Sequence, residues 1–241
     1  MNILAIETST SAGSVAVVRA SDFKVLALNE WVRGRSHAEV ATPALADAIN
    51  IAGGLDDLAA IAVGIGPGSF TGIRVGLNSA KTAAWNLGLP VIGFSSTAIL
   101  LEGVKASGLI DDKNTLVAAV LNAQMGMVFC SYADEEPRAL SPLDFASDLA
   151  ARTKKYGAAS VALVGDGLSL VEGDVSKAGL KSKKLDASLG HPHAATLGRM
   201  AVSKLANELR AESRESLVRK YPWQSVQPLY LRGSGAEEKR G

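Results

Sequence analysis

The sequence predicts an α/β protein of two lobes on one duplicated plan, each lobe a mixed sheet with flanking helices. Three observations carry this. Two β-branched apolar runs, residues 3–8 and 14–20, flank a small polar turn at 9–13. An apolar run at 58–65 passes through the glycines of 66–69 into a helix-like pattern. Beyond a polar interruption at 108–114 the opening returns, as an apolar run at 115–121, a turn at 122–126 and a second run at 127–132.

Taken in order, the first two runs read as a β-hairpin, and 25–33 adds a third strand. Ser36 with Glu39 three residues on has the spacing of a capping box. The helix it opens should reach Ile51 and stop at Gly53-Gly54. Pro43 lies deep enough in it to imply a bend or a later start. Residues 58–65 form a buried strand, 71–87 a helix stopped by Gly88 and Pro90, 91–94 a short strand and 96–106 another helix. The lobe boundary falls in the polar stretch, so 1–108 is an N-terminal lobe and 109–232 a C-terminal lobe. In the second lobe 143–152 reads as a helix, 160–164 as a strand and 194–217 as one long amphipathic helix. The polar tail 233–241 reads as disordered. Strand, hairpin, strand, helix, strand, helix, written twice, resembles the duplicated actin-like ATPase fold of acetate kinase, sugar kinases, Hsp70 and actin, a likeness of fold that says nothing of chemistry.

A chain of 241 residues can bury a substantial core. Its 47% apolar and 20% charged residues are those of an ordinary globular protein. A formal net charge of +1 exerts no global pull toward nucleic acid or membrane, so any RNA contact is local or comes through a partner. Cys130 is the single cysteine, which excludes an intrachain disulfide and a cysteine-based zinc site. The first residues lack the basic region of a signal peptide, and no apolar run approaches the ~20 residues of a membrane helix. A cytoplasmic protein is expected.

The most informative stretch is 60–76. Its glycines permit a tight turn, and the free N–H groups of the helix that follows could hold an anion, with Thr8, Ser9, Gly68 and Ser69 as contacts. The plainer reading is a strand-to-helix turn where glycine avoids a clash. The string is neither a Walker A loop nor a Gly-x-Gly-x-x-Gly fingerprint. Along the helix, Gly72, Gly76, Ala80 and Ala84 recur every four residues on one face. Interior Gly76 costs roughly 1 kcal/mol of helix propensity, which close packing against a second helix would offset. The alternative is that this stripe packs on the protein's own sheet, and the pattern leaves the choice open.

Glu7 and the hydroxyls of 8–11 stand where phosphotransferases of this fold place an acid and hydroxyls around phosphate and metal, with an ordinary Ser/Thr turn as the alternative. The weak Gly165-Asp166-Gly167 is the nearest second motif. Of the three histidines, His37 suits the first turn of a helix, and His191 and His193 form no His-x-x-x-His pair. Asp56-Asp57, Asp111-Asp112 and Glu135-Glu136 read as solvated loop charges. Ser69 lacks the Gly-x-Ser-x-Gly elbow of a serine hydrolase.

Residues 3–10 (Ile-Leu-Ala-Ile-Glu-Thr-Ser-Thr), 35–39 (Arg-Ser-His-Ala-Glu), 66–76 (Gly-Pro-Gly-Ser-Phe-Thr-Gly-Ile-Arg-Val-Gly), Met125-Gly126 and 228–232 (Pro-Leu-Tyr-Leu-Arg) occur in an order and spacing that resemble the TsaB (YeaZ) family. That family belongs to the bacterial machinery that makes threonylcarbamoyladenosine in tRNA. The resemblance implies a scaffold without transferase activity that binds the catalytic subunit TsaD, is joined by the ATPase TsaE, meets tRNA through the complex, and forms a homodimer alone. It implies no cofactor of its own, with ATP or ADP at the complex interface and metal in the partner. The docking face it suggests takes His37, Val40, Ala41, Ala44, Leu45 and Ala48 from the first helix, and Gly72, Arg74, Gly76, Leu77, Ala80 and Ala84 from the second. TsaD carries a metal-binding His-x-x-x-His pair where this chain has none in 91–100. The chain also departs from the family at Asn122, Gln124 and Met127, where charged groups are usual, which weakens any polar role for that hairpin. The rival readings are a stand-alone ATP-dependent phosphotransferase or peptidase of the same fold, and a general interaction module.

Overall fold

A computed structural model describes residues 1–32, 36–110, 114–133, 135–185 and 189–232. Arg33, Arg35, Asp111-Asp112 and the tail 233–241, all used in the sequence reading, lie outside the described residues. The chain divides into two compact units, Met1–Ile99 with Pro192–Leu229, and Leu100–His191 with Tyr230–Gly241.

In the first unit, strands β1 (Asn2–Glu7), β2 (Gly13–Arg19), β3 (Val25–Trp31), β4 (Leu58–Gly64) and β5 (Val91–Phe94) form one sheet in the order β3-β2-β1-β4-β5. The hairpin partners β2 and β3 run antiparallel, and β4 and β5 run parallel to β1. Both faces of β1 are buried, so its residues alternate between two cores rather than between core and solvent. Leu4 and Ile6 face the helices α1 (His37–Ile51) and α2 (Phe70–Leu87). Ile3 and Ala5 face α6 (Ala194–Leu205), with Leu209 of α7 (Glu208–Ala211) and Leu217 of α8 (Arg214–Lys220). After α8 the chain follows the outer edge of β5, where the Val91 N–H donates to Tyr221 O at 3.0 Å. That contact covers an edge otherwise open to pairing.

The second unit repeats the plan strand for strand. Strands β6 (Thr115–Asn122), β7 (Val128–Tyr132), β8 (Arg138–Leu140), β9 (Ser160–Val164) and β10 (Ser182–Lys184) stand in the order β10-β9-β6-β7-β8. The β6–β7 and β7–β8 pairs are antiparallel, and the β6–β9 and β9–β10 pairs parallel. One face packs on Phe145 and Leu149 of α4 (Pro142–Tyr156) and Val171 and Val175 of α5 (Leu168–Lys177). The other packs on Leu100 and Val104 of α3 (Ser96–Ser107). The duplicated plan expected from the sequence is therefore present in pairing directions as well as in element order.

Four expectations need correction. The C-terminal helices belong to the first unit, because the apolar stripe of α6 fills the face of β1 and β2 that α1 and α2 leave bare. The expected single helix over 194–217 is three, the last restarted by Ser213, whose hydroxyl accepts the Ser216 N–H at 3.3 Å. Ser36 makes no side-chain cap at α1, and Pro43 sits inside that helix without shifting its start. The short β8 and β10 and the helix α5 went unread in the sequence.

Candidate functional site

The candidate site lies at the carboxyl ends of β1, β4 and β5, where ligands of open α/β sheets commonly bind. Three segments meet there: the turn after Glu7, the turn leading from Gly64 into α2, and the start of α3. Ser9 joins them. Its carbonyl accepts the Ser69 N–H at 2.6 Å, and its hydroxyl accepts that of Ser96 at 2.7 Å. The Ser96 N–H in turn donates to Gly66 O at 2.7 Å.

Two of the three hydroxyls expected to meet an anion, those of Thr8 and Ser9, are buried within this knot. Thr8 donates to Gly72 O at 2.8 Å, and Ser69 caps α2 by accepting the Gly72 N–H at 3.2 Å. A side chain at Gly68 would strike Ser9. Thr8 and Ser9 are buried, and of the four expected contacts Ser69 alone is well exposed.

Glu7 is fully buried beneath them. Its Oε1 accepts the Ser9 N–H at 2.6 Å. Its Oε2 has no hydrogen-bond partner among the described residues and fills the space that a Cβ on Gly64 would need. Burial pushes its pKa up to about 7, against the opposing pull of the Ser9 hydrogen bonds and the charge of His193. Such a carboxyl is poorly placed to hold phosphate, which its ionised form would repel.

The small-residue stripe of α2 faces inward. A Cβ on Gly72 would overlap Thr8 O, and one on Gly76 would come within 2.5 Å of Thr8 Oγ1. Leu77, Ala80 and Ala84 are buried in the same core as Ala41, Ala44 and Ala48 of α1. Eight of the twelve residues expected at a docking face thus pack the protein's own interior. His37, Val40 and Leu45 remain half-buried and Arg74 exposed, its guanidinium 3.9 Å over the Phe70 ring. The outward side of the two helices carries Ala38, Thr42 and Ala46, then Asn78, Thr82 and Trp85, the indole residue 69% exposed.

His37 is a structural tie. Its Nδ1 accepts the Trp31 indole N–H at 2.9 Å, which leaves Nε2 to carry the proton toward Thr10 O at 2.8 Å. The start of α1 is thereby fastened to β3 and to the first turn. Sequence reasoning missed two residues of this region, Ser96 and Ser14. Ser14 accepts the first amide of α6, from Ala194, at 2.8 Å. The signal for Ser96 was a hydroxyl cluster, Ser95-Ser96-Thr97, directly after a strand. Among the described residues no group of three His, Cys, Asp or Glu is placed to hold a metal, and no helix is long and apolar enough to cross a membrane.

Residues 32–240 match the family model described as TsaD, tRNA N6-adenosine threonylcarbamoyltransferase. The chain is 38% identical over 131 residues to the Escherichia coli protein named tRNA threonylcarbamoyladenosine biosynthesis protein TsaB, covering 54% of this chain and 53% of that one. It is 46% identical over 98 residues to an uncharacterized Mycobacterium tuberculosis protein, covering 39% and 45%. The matches thus span about half the length of these curated relatives. Among solved structures, YeaZ from Pseudomonas aeruginosa superposes with a TM-score of 0.71 at 28% identity, over 95% of this chain and 100% of that one.

Proposed function

The chain belongs to the family described as TsaD, tRNA N6-adenosine threonylcarbamoyltransferase, on its TsaB (YeaZ) side, and from that premise we propose that it is a non-catalytic subunit in threonylcarbamoyladenosine formation on tRNA. It binds the catalytic TsaD-like subunit through α1 and α2, a TsaE-like ATPase joins through that pair, and tRNA is met through the complex in the cytoplasm. ATP or ADP and metal belong to the assembly and the partner. Alone, the same face pairs with a second copy.

The observation that carries this reading is the closed knot around Ser9. A stand-alone phosphotransferase needs Glu7 and the adjoining hydroxyls open to substrate, whereas here Glu7, Thr8 and Ser9 are buried, the Thr8 hydroxyl bonded to Gly72 O and the Ser9 hydroxyl to Ser96. With the glycine stripe buried, the docking face we propose is the outward side of the helices, where an exposed tryptophan is a common anchor of interfaces. Trp85→Glu should leave the isolated chain folded and reduce co-purification with the catalytic subunit at least tenfold. Reconstituted tRNA modification should fall in parallel. Modification that proceeds equally without this chain would overturn the function, and normal binding by Trp85→Glu would overturn the face.

A further inference from the structure

We propose that Glu7 is a proton-controlled latch: its neutral carboxyl lets the turn after β1 and the first turns of α2 and α3 close on one another, and its ionisation opens them to water. This stands on the geometry of the first unit and does not depend on the proposed function.

Glu7 ends β1 on the face shared with α6, opposite Ser14 of β2 in the sheet register. Its walls are Gly64 of β4, Ser9 of the turn and the start of α6. The titratable group whose charge reaches it is His193, at the start of α6 and itself paired with Glu30 of β3 at 2.7 Å. Oε1 has its donor in the Ser9 amide, but Oε2 has none among the described residues. A buried carboxylate oxygen without a donor is costly, and a neutral carboxyl much less so. On ionisation the proton leaves to solvent, and the charge is relieved only if water reaches Oε2.

Ser9 is the part that must yield. It holds Glu7 through its amide, α2 through its carbonyl and α3 through its hydroxyl. Movement that admits water to Glu7 therefore loosens the entry of both helices together. Hydrogen exchange of the isolated full-length chain tests this without any partner, so its outcome is independent of the docking proposal. The amides of Ser9, Ser69 and Ser96 should open locally, below the barrier of the β1 and β4 core. Corrected for intrinsic exchange, their protection should fall roughly fortyfold from pH 5 to pH 7, as linkage demands of a carboxyl that titrates near 7 when closed and near 4.5 when open. Glu7→Gln should remove that dependence. In the unsubstituted chain, infrared spectra with labelled glutamate should show a protonated carboxyl band that disappears as pH rises through 7. Loop amides that ignore pH, that open only with the core, or that respond equally in Glu7→Gln would overturn the latch. So would absence of the protonated band at pH 5.5.

Discussion

The ends of β1 and β6 occupy the same place in two sheets of identical topology, yet they are chemically opposite. In both, the last strand residue accepts the N–H two residues on: Glu7 from Ser9 at 2.6 Å, and Asn122 from Gln124 at 2.8 Å. Around Glu7 the chain closes, because the glycines of α2 bring that helix onto Thr8. Around Asn122 it stays open. Gln124 and Met125 are exposed, and the acid comes from Asp166, which accepts the Asn122 N–H at 2.9 Å. Arg232 fixes this second turn from outside, donating to Ala123 O and Gln124 O at 3.3 and 3.2 Å. A duplicated backbone therefore fixes where a turn lies. The chain leading into α5 lies as closely, through Gly165 and Gly167, on Val120 and Leu121, but it meets the strand end rather than the turn, and so the turn stays in water.

Breaking the close approach should have the largest effect. Gly72→Ala puts a Cβ against backbone, at Thr8 O, rather than against a side chain that can rotate away. It should lower the unfolding free energy by about 3 kcal/mol, at the upper end of overpacking costs, measured by chemical denaturation. Gly76→Leu should likewise damage folding, so lost partner binding in either variant would be no evidence for a docking face.

The two units should also answer pH in opposite senses. Glu7 is bound to its proton in the folded chain up to about pH 7 but only to about 4.5 unfolded. Its contribution is thus complete below pH 4.5, is lost between 4.5 and 7, and is flat above. That loss amounts to about 3 kcal/mol, and Glu7→Gln should abolish it. In the second unit Asp148 behaves conversely. Burial would raise its pKa, but hydrogen bonds from Arg138, Tyr132 and Arg152 outweigh that and hold it below the usual 3.8. Their distances are 2.6, 3.0 and 2.9 Å. This contribution is complete above pH 3.8 and lost as pH falls below it. Asp148→Asn should cost about 1–2 kcal/mol at neutral pH, discounted for the partial exposure of Arg138, and should flatten the acid limb of the stability profile.

The same contrast explains what could be read without coordinates. The hairpins, β4, β5, α1 and α2 were legible because alternating apolar residues and glycine stops are local signals. Three-residue β10, Lys-rich and exposed, carries no such signal. The placement of α6 was hidden because its stripe names no partner: only the bare face of Ile3, Ala5, Ala16 and Val18 shows where it goes. At the site, Glu7, Thr8, Ser9 and Ser69 were visible as residue types. Their closure was not, since it depends on Gly72 and Gly76 facing Thr8 across 64 or more residues of sequence. The pattern of small residues was correct, and the direction it faces was a tertiary fact.

Glycines inside helices give the finest version of the comparison. Gly76 in α2 and Gly173 in α5 look alike in sequence, each an interior residue that weakens its helix. A Cβ at Gly76 would press on the Thr8 hydroxyl at 2.5 Å, whereas at Gly173 nothing lies within 4 Å. Gly173→Ala should therefore recover the propensity penalty and raise stability by about 0.5–1 kcal/mol, seen as a higher denaturation midpoint at unchanged slope. Gly76→Ala gains the same propensity but must displace Thr8 from its bond to Gly72 O, so its net effect should be negative. A Gly76→Ala variant as stabilised as Gly173→Ala would mean that Thr8 rotates away freely, and α2 would then owe its position to Ile73 and Leu77 rather than to its glycines.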